Sequence, residues 1–144
     1  MIICDTREKK WEHVRRYFEH ENIPYEVHKL DFGDYMSDAD PTISIDRKQN
    51  LDELAGNLCT PSHRFWREAK GAYKAGIRMV VLIQDGSRHE LKDVLTWSSN
   101  YSRISGRMLF EKMFGIANAY GVEFRFCDKK DTGHVIATML GEEN

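Results

Sequence analysis

Apolar residues change their period repeatedly along this chain, and each change predicts an element. Ile2, Ile3 and Cys4 form a short apolar run closing on Asp5 and the polar residues 6–10, the pattern of a buried first strand with a polar exit. Trp11, Val14, Tyr17 and Phe18 then recur at helical spacing, with Arg15, Arg16 and Glu19 opposite, until Asn22 and Pro24 end the helix. Residues 25–30 alternate as a second strand, residues 31–35 carry it to a bend, and residues 37–41 have turn composition. Residues 42–47 predict a return strand forming an antiparallel hairpin with the strand at 25–30.

Asn50 followed by Glu53 predicts a capped short helix through Leu58. Ser62 is placed to cap a second helix reaching about Ala75, which Gly76 stops. Residues 78–84 are the clearest buried strand, residues 91–97 a short helix and residues 98–105 a polar loop. Met108, Leu109, Lys112, Met113, Ile116, Ala117 and Tyr120 trace a long amphipathic helix stopped at Gly121; Met113 and Met108 lie on its apolar face, as core or as a dimer surface. An alternating strand at 122–127 and a terminal helix opened by Asp131 and Thr132 complete the chain. Strands alternate with helices around one hairpin, which predicts a single α/β domain over residues 1–144, with a central mixed β-sheet flanked by helices.

Composition changes this picture little. A chain of 144 residues, 41% hydrophobic and 31% charged, can bury roughly 70% of its unfolded surface. The longest strongly apolar run, residues 79–83, falls far short of the roughly 20 residues of a membrane span, and the amino terminus has no secretory pattern. Cys4, Cys59 and Cys127 are scattered, odd in number and without a CxxC pair, so no disulfide framework or zinc knuckle is expected, and a reducing cytoplasmic setting is. The net charge of −2 counts against a nonspecific DNA coat protein, and less against a nuclease whose acids a metal would neutralise.

The chemistry concentrates in two stretches. Asp34 follows the flexible Gly33, while Asp46 and Lys48 are two apart on a strand and so share a face. Hard carboxylate oxygens from two elements can hold a divalent cation, and an ammonium beside them can orient a hydrolytic water. Alone, Gly33-Asp34 reads as turn chemistry and Asp46-Arg47-Lys48 as a solvated strand end; the hairpin brings them together. Arg47 alternates away from Lys48. Its planar fork suits a phosphate, or a carboxylate that it would pair with to hold the site rigid. Asp52, in the first turn of a helix, reads equally as part of the site or as a favourable helix-end charge.

These residues resemble the motif of the XPF-type nuclease family: Gly-Asp, a variable gap, Glu-Arg-Lys, three residues, Asp. Here it stands as Gly33-Asp34, Asp46-Arg47-Lys48, Gln49-Asn50-Leu51 and Asp52, with Asp5-Thr6-Arg7-Glu8 similar to the family's early acidic segment. The family's usual Glu is Asp46 here, one methylene shorter. The resemblance covers nearly the whole chain and implies a restriction-endonuclease-like fold with a PD-(D/E)xK type of site. It further implies a Mg²⁺- or Mn²⁺-dependent endodeoxyribonuclease, with Asp34 and Asp46 on the metal, Asp5 and Glu8 as outer or second-metal ligands, and Lys48 at the water. Branched, flap or junction DNA in repair or recombination is the implied substrate, and a homodimer through the nuclease domain the implied assembly. The chain ends without the helix-hairpin-helix module of many such nucleases, as expected of a compact phage-like or bacterial form; a eukaryotic source would make it nuclear. The rivals are a catalytically silent DNA-binding relative and a resolvase or restriction-type nuclease.

Basic residues supply candidate DNA contacts. Arg67, Lys70 and Lys74 share a helix face by spacing, whether as DNA contacts or as a solvated basic face, and the resemblance places Arg64 near a phosphate. Arg103 and Arg107 flank Gly106 before a helix, where backbone amides favour phosphate. The six histidines form no site; His13 and His20 are two helical turns apart, about 10 Å.

Overall fold

A computed structural model describes residues 1–143 and folds them around one six-stranded mixed sheet. In chain order the elements are β1 (Ile2–Cys4), α1 (Glu12–His20), β2 (Tyr25–Val27), β3 (Tyr35–Ser37), β4 (Asp40–Lys48), α2 (Leu51–Leu58), α3 (Arg64–Lys74), β5 (Arg78–Gln84), α4 (Gly106–Tyr120), β6 (Glu123–Cys127) and α5 (Thr132–Met139). Short 3₁₀ turns cover Leu91–Thr96 and Lys129–Asp131. The strand order is β2-β1-β3-β4-β5-β6, with β3 antiparallel to both neighbours and every other pairing parallel.

The hairpin differs from the expectation in one partner. Residues 25–30 do not pair with the return strand; only Tyr25–Val27 is strand, at the sheet's edge and parallel to β1. The arm opposite β4 is β3, with Tyr35 facing Ile45 and Ser37 facing Asp40. The reason is burial. Tyr35 and Ser37 are buried whereas Glu26 and Val27 are exposed, so the central position falls to the segment with something to bury.

β5 runs through the middle of the core. Met79, Val81 and Ile83 pack under α2, α3 and α4, while Val80 and Leu82 face α1 and α5. Burial on both faces explains its unbroken apolar run. The same alternation divides β4: Ile45 lies in the α1–α5 layer, so Arg47 points that way, and Asp46 and Lys48 point toward α2 and α3.

Helix starts follow local capping chemistry. The Asn50 carboxamide oxygen accepts from the Glu53 amide at 2.8 Å, and the Ser105 hydroxyl oxygen from the Met108 amide at 3.2 Å. Ser62 does not cap α3. Its hydroxyl lies 3.1 Å from that of Thr60, and the residue at the N-cap is His63, with φ +53°. Gly121, at φ +67°, ends α4. Among the described residues no helix is long and apolar enough to cross a membrane.

Candidate active site

The turn Phe32-Gly33-Asp34 crosses over β4, and glycine is what allows it. Gly33 has φ +73°, and a Cβ there would stand 2.1 Å from the Ser44 hydroxyl oxygen and 3.0 Å from the Ile45 carbonyl oxygen. The Ser44 hydroxyl donates to the Phe32 carbonyl (2.6 Å), the Asp34 amide to the Ile45 carbonyl (2.8 Å) and the Gly33 amide to Glu68 Oε1 on α3 (2.8 Å). Asp34 Oδ2 accepts from the Arg47 backbone amide at 2.8 Å, which ties this carboxylate to β4.

Asp34 therefore meets Asp46, and Lys48 Nζ lies 3.4 Å from Asp46 Oδ1. Burial holds the Asp34 carboxyl well above its ordinary pKa; the Asp46 and Glu8 carboxylates push it further the same way, against the Arg47 amide. Lys48 is only 9% exposed and its ammonium sits 5.0 Å from the centre of the Phe65 ring, a cation–π contact that aims it at the acids. Asp5, Arg7, Gly33, Asp34, Asp46, Lys48, Asn57, Arg64 and Glu68 line one open cavity of about 400 Å³. A neighbouring depression shares Asp34, Asp46, Lys48 and Asn57 and extends to Glu8 and Arg47.

The other expected acids are near but already engaged. Asp5 accepts from the Leu30 amide (2.8 Å) and from the Arg7 amide and guanidinium (3.2 and 2.8 Å). Burial alone would raise its pKa, and those donors outweigh burial to leave it lowered. Glu8 Oε2 takes both the Arg47 guanidinium (2.7 Å) and the Tyr35 hydroxyl (2.6 Å). Arg47 also donates to Gln84 Oε1 and the Lys9 carbonyl, so of its two possible roles the structure displays the carboxylate pairing. Asp52 is half-buried, lines neither cavity, and accepts from the Ser99 hydroxyl at 2.6 Å. Among the described residues no three His, Cys, Asp or Glu side chains gather closely enough to enclose a metal ion unaided.

Of the basic candidates, Arg64 is exposed at the cavity rim. Arg67 donates to the Ser62 carbonyl (2.9 Å), Lys70 is exposed, and Arg103 lies exposed before α4. Arg107 is exposed beside Glu111, 3.3 Å away.

Three cavity residues escaped the sequence reading. Glu68 stands four residues after Arg64, a spacing that puts both on one helix face, and only the basic members of that helix drew attention. Phe65, by its spacing one of the helix's apolar residues available for burial, places its ring 5.0 Å from the Lys48 ammonium. Asn57 carried no signal, yet its side-chain oxygen is buried without a hydrogen-bond partner.

An acid pair beside a lysine, at the end of a central strand in a mixed helix-flanked sheet, defines the architectural class. The ERCC4 domain family model matches residues 4–139, and the chain belongs to that family. This bears out the XPF-type resemblance read from Gly33-Asp34 and Asp46-Arg47-Lys48. The fold is similar to XPF from Aeropyrum pernix, with a TM-score of 0.73 at 19% identity, over 96% of this chain and 62% of that one. The same protein in complex with DNA superposes with a TM-score of 0.70 at 19% identity, over 97% of this chain. The chain thus spans 62% of the length of these relatives. No curated protein matches it.

Proposed function

We propose that this chain is a Mg²⁺- or Mn²⁺-dependent endodeoxyribonuclease that hydrolyses phosphodiester bonds at branched, flap or junction DNA. The observation that carries this reading is the contact of Asp34 with Asp46 beside Lys48, at one open cavity. The residues fit a divalent cation. Two carboxylates repel each other there, and the unpartnered Asn57 oxygen adds a hard acceptor at the same cavity. Mg²⁺ typically keeps several waters and takes only one or two carboxylates, with substrate phosphate completing its shell. Asp34 and Asp46 would hold the ion; Asp5 and Glu8, engaged by Arg7 and Arg47, would act from outside it. When bound, a divalent ion polarises the scissile phosphate and makes water a stronger acid.

The chain's own groups do the remaining work. The Arg47 amide keeps Asp34 in place, and the Arg47–Glu8 pair holds β4 against the first loop. The Lys48 ammonium, aimed by Phe65, stabilises negative charge on the phosphoryl group or orients the attacking water. Arg64 at the rim, with Arg67, Lys70, Arg103 and Arg107 on the exposed surface, supplies charge for DNA phosphates. The DNA complex of the Aeropyrum pernix relative supports DNA as the ligand. Exposed Tyr73 on α3 and Phe114 on α4, each against a half-buried aromatic (Tyr120 and Phe110), give apolar surface that suits a second copy of the chain.

The test is cleavage of duplex, flap, fork and four-way junction DNA with Mg²⁺, with Mn²⁺ and with chelator. Metal-dependent cutting of the branched substrates is expected, together with a loss of about 10²-fold or more in Lys48→Ala with folding intact. Full activity in that variant, or cutting in chelator, would overturn the assignment.

A further inference from the structure

Residues 98–105 form an exposed loop held by hydrogen bonds from one serine. The Ser99 hydroxyl donates to Asp52 Oδ1 at 2.6 Å, and its oxygen accepts from the backbone amides of Tyr101 and Ser102, each at 3.1 Å. The Ser99 amide donates to the Ile104 carbonyl at 3.3 Å, and Ser98 pairs with Ser105 as an isolated β-bridge. Just behind the loop, Gly106 is packed so closely that a Cβ would stand 2.2 Å from the Val94 carbonyl oxygen. On this rigid support Tyr101 projects with 86% of its surface exposed, the most exposed of the large hydrophobic side chains among the described residues. Arg103 lies on the loop and Arg107, which pairs with Glu111, just beyond it; the Asp52 carboxylate at the loop's base is taken up by Ser99.

A solvent-facing aromatic ring on a braced, basic, hydroxyl-rich loop matches the chemistry of single-stranded nucleic acid, in which bases stack and phosphates pair with cations. Tyrosine suits the role because it loses little conformational freedom on contact. Placement adds to this. Asp52 follows Lys48 by four residues, so their Cα atoms are at most about 14 Å apart, a span of only a few nucleotides.

We propose that the 98–105 loop is a base-stacking platform, with Tyr101 receiving an unpaired nucleotide on the loop that Asp52 ties to the motif helix, and Asp52 acting as the positioning residue that sets the loop. This rests on the nuclease reading and adds to it the substrate feature recognised, an unpaired base, and a role for the last residue of the motif.

The experiment measures binding in chelator, chosen to prevent cutting, with the 144-residue chain and three oligonucleotides: blunt duplex, duplex with a single-stranded flap, and the same flap carrying 2-aminopurine at successive unpaired positions. Tyr101→Ala should weaken flap binding roughly tenfold, the size of one lost stacking contact, leave blunt-duplex binding unchanged, and abolish the quenching of 2-aminopurine at one position. Tyr101→Phe should keep all three properties. Asp52→Asn, which retains an acceptor for the Ser99 hydroxyl, should bind like the wild type, while Asp52→Ala should lose flap preference with its unfolding midpoint little changed. Equal flap binding by wild type and Tyr101→Ala, or no flap binding by the wild type, overturns the proposal. Cleavage in Mg²⁺ is scored separately: a protein that stacks the flap base yet never cuts contradicts the nuclease reading while leaving the platform standing.

Discussion

Arg47 and Glu8 lie 39 residues apart in sequence and 2.7 Å apart in space, both buried, on the face of β4 away from Asp46 and Lys48. One strand thus carries Asp46 and Lys48 on one face and the Arg47–Glu8 brace on the other. The brace is costly to break from one side, because the guanidinium left behind is still charged and buried. Glu8→Ala should destabilise the fold by about 3 kcal/mol, the low end for a broken buried pair, since Gln84 and the Lys9 carbonyl still accept from Arg47. Denaturant unfolding of the two proteins measures it, and a change below about 0.5 kcal/mol would remove the structural role assigned to the pair.

Gly33 tests the turn that delivers Asp34. Gly33→Ala meets a left-handed φ and a contact of 2.1 Å with the Ser44 oxygen, so the turn must move. A loss of about 1–3 kcal/mol is expected, along with a disproportionate loss of cleavage as Asp34 leaves the Arg47 amide. Gly33→Ala combined with Ser44→Ala removes the worst contact while keeping the strained φ, and should recover only part of both.

His13 makes stability depend on pH. Its ring nitrogen Nε2 lies 2.6 Å from Gln84 Oε1. Burial lowers its pKa; the Gln84 contact and the Glu8 carboxylate oppose that, and the charges of Arg47 and Lys129 reinforce it. The unfolded chain, with a histidine near about 6.5, therefore binds the proton more readily than the folded one. This contribution is fully present above about 6.5 and lost as pH falls from there through the lower folded value. Unfolding free energies of the wild type and His13→Gln between pH 5 and 8 should converge toward the acid end. Parallel curves would contradict the assignment.

Arg64 is exposed at the cavity rim, where the proposed function has its charge meet DNA backbone. Arg64→Ala should weaken binding at all sequences alike and reduce the slope of log affinity against log salt by roughly one. Anisotropy titrations over a salt series read this directly. An unchanged slope would place Arg64 outside the interface.

Much of this protein was legible in its sequence because the signals concerned are local. Helical spacing from Trp11 to Phe18, the Asn50–Glu53 cap and the unbroken apolar run of β5 each report their element within a few residues. Gly33-Asp34 and Asp46-Arg47-Lys48 announced an acid pair beside a lysine, since strand alternation alone puts Asp46 and Lys48 on one face.

What only the tertiary structure decided was which partner each of these groups would meet. Strand pairing is a contest over burial, and it was Tyr35 rather than Glu26 and Val27 that had surface to bury beside β4. The freedom of a carboxylate depends on which donors reach it: Arg7 is local to Asp5, but Leu30 reaches Asp5 from 25 residues away and Arg47 reaches Glu8 from 39. Asp52 reads as a motif acid in the chain and as the anchor of Ser99 in the fold. Glu68 and Asn57 joined the cavity without any announcement, because α2 and α3 acquire their orientation only by packing on the sheet. The sequence by itself determined which chemical groups would be present and on which elements; long-range packing and hydrogen bonding decided which of them remained free to act.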